Sequence, residues 1–246
     1  MLSIIIPTLN EEKYIGRTVS LLKAGLNLPH EIIITDGHSR DGTVSIAKMA
    51  GADQAVVHDG QSKQTIAAGR NAGAAVASGE FLIFIDADCT IPEINHFFDK
   101  IVHHFERDPE LVAVNVAIRV EPGQETWADW MVYNLFNDYL WFVNNVLHYG
   151  MAAGEFQMIR RSAFERLQGY NPTLVAAEDI DLFARLSKIG HVRYEKGLKI
   201  YHSGRRAHKV GWPKLLSLWF LNAVSMNLRG KAWSQSWGGD VTGTSS

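Results

Sequence analysis

Apolar residues in the first half of the chain fall in short unbroken runs separated by segments of helical spacing. Leu2–Ile6 is one such β-rich run, and Glu11–Leu26 repeats its apolar positions with helical period. A second run, Glu31–Thr35, carries Ile32, Ile33 and Ile34 and precedes a helix over Thr43–Ala50. Gln54–Val57 reads as a short third strand and Lys63–Ala77 as an alanine-rich helix. Phe81–Ile85 is a fourth strand, Pro92–Glu106 a helix opened by proline in its first turn, and Leu111–Val116 a fifth strand. Strands that are apolar throughout and alternate with helices predict an α/β fold, a mostly parallel Rossmann-like sheet flanked by helices on both faces. Ligands of such sheets bind beyond the carboxyl ends of the strands, so chemistry is expected in the segments that follow them.

From about Glu121 the pattern changes to longer aromatic helices, with short strands near Phe156–Ile159, Val192–Tyr194 and Lys199–Tyr201. No Pro/Gly/Ser linker marks the change and no internal repeat is visible, so 1–230 is expected to be a single domain. Residues 231–246 read as a flexible tail, because Ser234–Ser246 is rich in Gly, Ser and Thr.

Composition narrows the function classes. With 246 residues, 46% of them hydrophobic, collagen-like and disordered readings are excluded. Lys plus Arg number 24 and Asp plus Glu 26, a formal charge of −2, so no basic excess points to nucleic acid. The single Cys89 allows no intramolecular disulfide and no cysteine-based zinc cluster. Met1–Ile6 is apolar but stops at Pro7 and the acidic Glu11-Glu12, so no secretory leader is read and a cytoplasmic location is expected. Two later stretches are greasy. Trp127–Met151 is interrupted by Asp129, Asp138 and several asparagines, and Trp212–Leu228 by Lys214 and Asn222, so neither reads as a bilayer span. Flanked by Lys209, Lys214, Arg229 and Lys231, the second would suit a helix lying peripherally on a membrane, although a buried helix with snorkelling lysines fits as well. Either stretch could also pair two subunits as a homodimer.

Five segments could carry chemistry. Pro7-Thr8-Leu9-Asn10-Glu11-Glu12 is a proline turn before a helix whose first turn is acidic, which suits the helix dipole. Asp36-Gly37-His38-Ser39-Arg40-Asp41-Gly42-Thr43 places Asp36 at the sheet edge, where a carboxylate could accept a base imino proton, while Asp41 or Thr43 could cap the next helix. Asp86-Ala87-Asp88 emerges directly from Phe81–Ile85. In extended chain its carboxylates would project to one side, a costly pairing unless a divalent cation such as Mg²⁺ or Mn²⁺ neutralises it. Glu178-Asp179-Ile180-Asp181-Leu182 opens a helix, where the acids could serve its dipole or supply a general base for an acceptor hydroxyl. After a short strand, His202 or His208 could complete a metal shell, and Arg205 and Arg206 could bind a leaving diphosphate.

Taken in order, these segments resemble the family-2 glycosyltransferases, which have the nucleotide-sugar-binding GT-A fold. The match runs from Ser3 to about His202. It includes Ile4-Ile5-Ile6-Pro7-Thr8-Leu9-Asn10-Glu11, the Asp36–Thr43 segment, Gly69-Arg70-Asn71-Ala72-Gly73, and Ala77-Ser78-Gly79 leading into Asp86-Ala87-Asp88. Arg160-Arg161-Ser162-Ala163-Phe164, Gly169-Tyr170 and Glu178-Asp179-Ile180-Asp181-Leu182 complete it. Each segment alone is weak; their order and spacing carry the resemblance.

The resemblance implies roles. Pro7, Thr8 and Glu11 would line the nucleoside pocket, Asp36 would pair with the uracil ring, and Arg70 and Asn71 would steady the diphosphate or ribose. Asp86 would sit near ribose and metal, Asp88 would be the direct ligand of Mn²⁺ or Mg²⁺, and His202 would match a third ligand by approximate position. Asp179 resembles the catalytic base, with Glu178 beside it. His38 stands where the family often has glycine. The implied reaction is inverting transfer of one sugar from a nucleoside-diphosphate sugar, UDP or GDP, to an acceptor hydroxyl or lipid phosphate. Residues 1–120 would then form the nucleotide-sugar and metal half and 121–230 a largely helical acceptor half. No terminal membrane helices follow, which argues against a processive polysaccharide synthase. Two other classes fit the sequence less well. A sugar-phosphate nucleotidyltransferase calls for a glycine-rich basic loop where Pro7–Glu12 stands, and a non-catalytic nucleotide-sugar-binding protein would not need both acidic pairs.

Overall fold

A computed structural model describes residues 1–229, so the tail expected over 231–246 lies outside the described residues. In chain order the elements are β1 (Leu2–Thr8), α1 (Ile15–Gly25), β2 (His30–Asp36), α2 (Thr43–Met49), β3 (Gln54–Val57), α3 (Ile66–Val76), β4 (Phe81–Ile85) and α4 (Ile94–Arg107). They continue with β5 (Leu111–Val120), α5 (Trp127–Asn145), β6 (Phe156–Arg160), α6 (Arg161–Arg166), α7 (Glu178–Leu186), β7 (His191–His202), α8 (Arg205–Val210) and α9 (Trp212–Arg229).

The strands form one seven-stranded sheet in the order β3-β2-β1-β4-β6-β5-β7. β3, β2, β1 and β4 pair in parallel, as do β5 and β7, while β6 runs antiparallel to both β4 and β5. The expected mostly parallel α/β sheet is therefore found. The unbroken isoleucine runs follow from burial on both faces. Ile4, Ile6, Ile32, Ile34, Ile83 and Ile85 pack into one apolar cluster and Ile5, Ile33, Leu82 and Phe84 into another, because successive side chains point to opposite sides. Pro7 is tolerated in this central strand because β4 pairs with β1 only as far as Ile5↔Phe84.

Helix ends depart from the sequence reading for local reasons. α4 begins after Pro92, behind Glu93 in the left-handed region, and turns Phe97, Phe98, Ile101 and Phe105 inward. The Thr65 hydroxyl accepts from Ala68 N at 3.1 Å and starts α3 three residues later than expected. A reciprocal capping box between Thr126 and Asp129 starts α5. The two short strands expected around residues 192–201 are one strand, β7, whose pairing with β5 shifts register between Val116 and Ala117.

Candidate active site

The loops after β1 and β2 hold each other through side-chain oxygens. Asn10 N donates to Ser39 Oγ at 2.8 Å, Arg40 N to Asn10 Oδ1 at 2.9 Å, and Glu11 N to Thr43 Oγ1 at 2.8 Å. This lacing places Asn10 and His38 in the left-handed backbone region, a conformation expensive for residues other than glycine and typical of functional loops. Asp36 is buried at the end of β2, where it accepts from Thr8 Oγ1 at 3.0 Å and from Ser39 N at 2.7 Å. Asp41 does not cap α2 from the cap position, which Gly42 holds, but it accepts from Thr43 N at 3.0 Å.

At the centre is Arg70, from α3, which is fully buried. Its Nη1 donates to Glu178 Oε1 at 2.8 Å and its Nη2 to Gly154 O at 2.9 Å, with Asp86 Oδ1 3.6 Å from Nη2. The guanidinium lies over the Tyr170 ring, 5.4 Å from its centroid. Asn71, the next residue, is engaged at both ends of its amide, donating to Tyr170 O at 2.8 Å and accepting from Tyr170 N at 3.0 Å. It therefore fixes the segment that carries Tyr170.

Three carboxylates, Glu178, Asp86 and Asp179, act on this buried cation, and Glu155 and Asp88 act in turn on Asp86. Asp86 keeps 35% of its side-chain surface accessible, yet its carboxyl is pushed up to about 8 by burial and, against the pull of Arg70, by Glu155, Asp88 and Glu178. Asp179, on the first turn of α7, is pushed up to about 7 by burial and by Glu178, with Arg70 and the Ile180 N–H opposing. Glu178 itself is buried against Arg70. Ala177, in the left-handed region, stands at the helix start, so neither acid is a side-chain cap. Concentrated negative charge of this kind favours protonation of its carboxyls or binding of a cation.

Asp86-Ala87-Asp88 does not lie in extended chain. β4 ends at Ile85, and Cys89 N closes a turn onto Asp86 O at 3.2 Å. The two carboxylates consequently diverge: Asp86 faces Arg70, whereas Asp88 accepts from the Ser203 hydroxyl and stands 3.5 Å from Arg205 Nε. Arg205 reaches the same place from α8 and also donates to Glu11 Oε2 at 2.7 Å, joining the β1 loop to Asp88. His202 accepts from Gly204 N at Nδ1, and its Nε2 is buried with no hydrogen-bond partner. Among the described residues no three His, Cys, Asp or Glu side chains converge to hold a metal ion. By donor type the residues suit one: the Asp86 and Asp88 carboxylates, though turned to different partners, supply oxygens, and the unpartnered His202 Nε2 is a nitrogen that Mn²⁺ accepts. His208 is used elsewhere, with its Nε2 2.8 Å from Asp129 Oδ2.

Sequence reasoning missed Glu155 and Gly154, and it placed Tyr170 in a motif without giving it a role. Because β6 is antiparallel, its amino end, preceded by Gly154 and Glu155, lies at the edge where the parallel strands end, and Asp86 N donates to Glu155 O at 3.3 Å. No periodicity reports a strand's direction, so only the pairing reveals this. Tyr170 is buried with its hydroxyl bonded to Gln157.

A mostly parallel sheet with an acid cluster and a buried arginine at its carboxyl edge has its polar site where ligands of such α/β sheets bind. The model for Glycosyl transferase family 2 matches residues 3–168, and the chain belongs to that family. It is 28% identical over 195 residues to the succinoglycan biosynthesis protein ExoA of Rhizobium meliloti, covering 76% of this chain and 58% of that protein. It is also 27% identical to the chondroitin synthase of Pasteurella multocida, over 79% of this chain and 20% of that one. The chain thus spans less than two thirds of the length of these relatives. Among solved structures, the mannosyltransferase PcManGT from Pyrobaculum calidifontis, in complex with GDP-Man and Mn²⁺, superposes with a TM-score of 0.71 at 19% identity, covering 94% of this chain and 65% of that one. S. aureus TarS in complex with UDP-GlcNAc gives 0.62 at 17% identity, over 80% and 57%. The fold is accordingly GT-A.

Proposed function

We propose that the chain is a metal-dependent inverting glycosyltransferase that moves one sugar from a nucleoside-diphosphate sugar to an acceptor hydroxyl or lipid phosphate. The observation that carries this reading is the chain of buried acids at one sheet edge: Glu178, Asp86 and Asp179 gathered on the buried Arg70, with Glu155 and Asp88 acting on Asp86. UDP-sugar is the favoured donor, as in the TarS complex, and GDP-sugar, as in the PcManGT complex, is the alternative.

In this reading Pro7, Thr8, Glu11 and Asp36 bind the nucleoside, and Arg70 and Asn71 shape the ribose and diphosphate side. When bound through Asp88, Asp86 and His202, Mn²⁺ or Mg²⁺ supplies positive charge against the departing diphosphate. Asp179 takes the proton from the acceptor hydroxyl as its oxygen bonds to the anomeric carbon and the bond from that carbon to the diphosphate oxygen breaks. Attack opposite the leaving group inverts the centre, so one base suffices. Glu178 holds Arg70 and raises the affinity of Asp179 for that proton. Residues 1–120 form the donor half and 121–230 the acceptor half.

The test is a panel of UDP- and GDP-sugars, each with Mn²⁺, Mg²⁺ or chelator, scored for thermal stabilisation and donor hydrolysis. Metal-dependent stabilisation by one nucleotide class supports the reading. Stabilisation by none of them would overturn it.

A further inference from the structure

α5 is apolar on both of its halves. Its inner half, with Val132, Tyr133, Leu140 and Val143, is buried against the sheet, and Tyr133 meets the His202 ring edge-on at 5.2 Å. Its outer half presents Trp127, Trp130, Leu135, Tyr139, Phe142 and Val146 to solvent, with Trp127 73% and Leu135 66% exposed. A helix apolar all round is ordinarily covered all round. Exposed apolar area on this scale marks a surface that works against a partner.

Charge identifies the partner. The outer half has no free acid: Asp138 is paired with Lys196, and Asp129 is buried, bonded to His208 and to Trp212 Nε1 at 2.7 Å. Those two bonds tie α8 and the start of α9 to the first turns of α5, and there Arg206, Lys209 and Lys214 stand exposed. Tryptophan and tyrosine along an apolar face, flanked by bases and with its one exposed acid, Asp138, neutralised by Lys196, match the headgroup region of an anionic bilayer. No helix among the described residues is long and apolar enough to cross a membrane. The geometry points to α5 lying on an anionic lipid surface, with its outer half in the headgroup layer and the bases of α8 and α9 against lipid phosphates. Through Tyr133 and His202 this docking brings the carboxyl edge of the sheet close to the bilayer. The inference does not depend on which sugar donor is used.

The experiment is co-sedimentation of the full chain with vesicles of phosphatidylcholine alone and of phosphatidylcholine mixed with phosphatidylserine. Binding to the mixed vesicles, weakened by salt, is expected. The double variant Trp127→Glu/Leu135→Glu should lower that binding at least about tenfold. Lys209→Ala and Lys214→Ala should each lower it about fivefold for mixed vesicles and leave the pure phosphatidylcholine result unchanged. All four substituted side chains are exposed, and circular dichroism with an unchanged melting temperature confirms intact folding. Absence of vesicle binding would overturn the proposal. So would a dimer in light scattering that the double variant dissociates, since a second copy would then be the cover.

Discussion

Arg70 Nη1 donates to Glu178 Oε1 at 2.8 Å although the two residues are 108 positions apart, and both are buried. The bond ties α3 to the first turn of α7, so the element that carries Asp179 is held by the element that carries Arg70. Removing one partner of a buried pair strands the other as an uncompensated charge. Arg70→Met should cost about 3–5 kcal/mol and lower Tm on the order of 10 °C. The double variant Arg70→Met/Glu178→Gln should recover part of that loss. Calorimetry of the four proteins of this double-mutant cycle checks it, and strictly additive effects would contradict a direct coupling.

Asp179 titrates at about 7, well above the ordinary 3.8 of an aspartate, because burial and Glu178 disfavour its charge. A base must be deprotonated, so kcat/KM for sugar transfer should rise with pH through about 7 and level off above it. The stability effect has the opposite direction. The folded state holds this proton more tightly than the unfolded chain, so folding loses stability as pH rises from about 4 to about 7. Asp179→Asn should therefore abolish transfer while making the protein more stable than the parent at pH 8, by urea midpoint, and no more stable at pH 3.

Gly73 faces the sheet so closely that a Cβ there would lie 2.5 Å from Ile5 Cγ2 and 2.7 Å from Thr35 Cγ2. Both neighbours are β-branched strand residues with little room to move. Gly73→Ala should push α3 away and cost about 1–3 kcal/mol, read as a fall in the denaturant midpoint. A gain in stability would show that the helix is free to shift.

Cys89 is buried behind the Asp86–Asp88 turn, and burial together with Asp88 and Asp86 raises its thiol well above the ordinary range. A protonated, enclosed thiol is a poor nucleophile. Alkylation by iodoacetamide at neutral pH should be negligible in the native protein and rapid in urea, as mass spectrometry would record.

Much of the sheet was legible because its strands are buried on both faces, and an unbroken run such as Ile4-Ile5-Ile6 has few other uses. The motif segments after β1, β2 and β4 do gather at one edge. What stayed hidden depends on pairing. The reversed direction of β6, which delivers Glu155 and Gly154 to the acid cluster, leaves no periodic trace. Asp86 and Asp88 do not share a side as period two predicts, because the strand stops one residue before the first of them. The engagement of Asn71 with Tyr170 is likewise a contact across 99 positions that composition cannot report. Residue types alone did not settle what the aromatic stripe on α5 faces, and half of it is exposed because no element of the described chain packs on that side.

The central claim is that one acid cluster divides into a donor-binding part at Asp88 and a proton-accepting part at Asp179. Isothermal titration of UDP and GDP with Mn²⁺ into the parent, Asp88→Ala and Asp179→Asn, run beside sugar transfer on the same preparations, tests it most directly. The account predicts that Asp88→Ala loses metal-dependent nucleotide binding, while Asp179→Asn binds the nucleotide as the parent does and transfers no sugar. Equal loss of nucleotide binding in both variants, or full binding in Asp88→Ala, would contradict it.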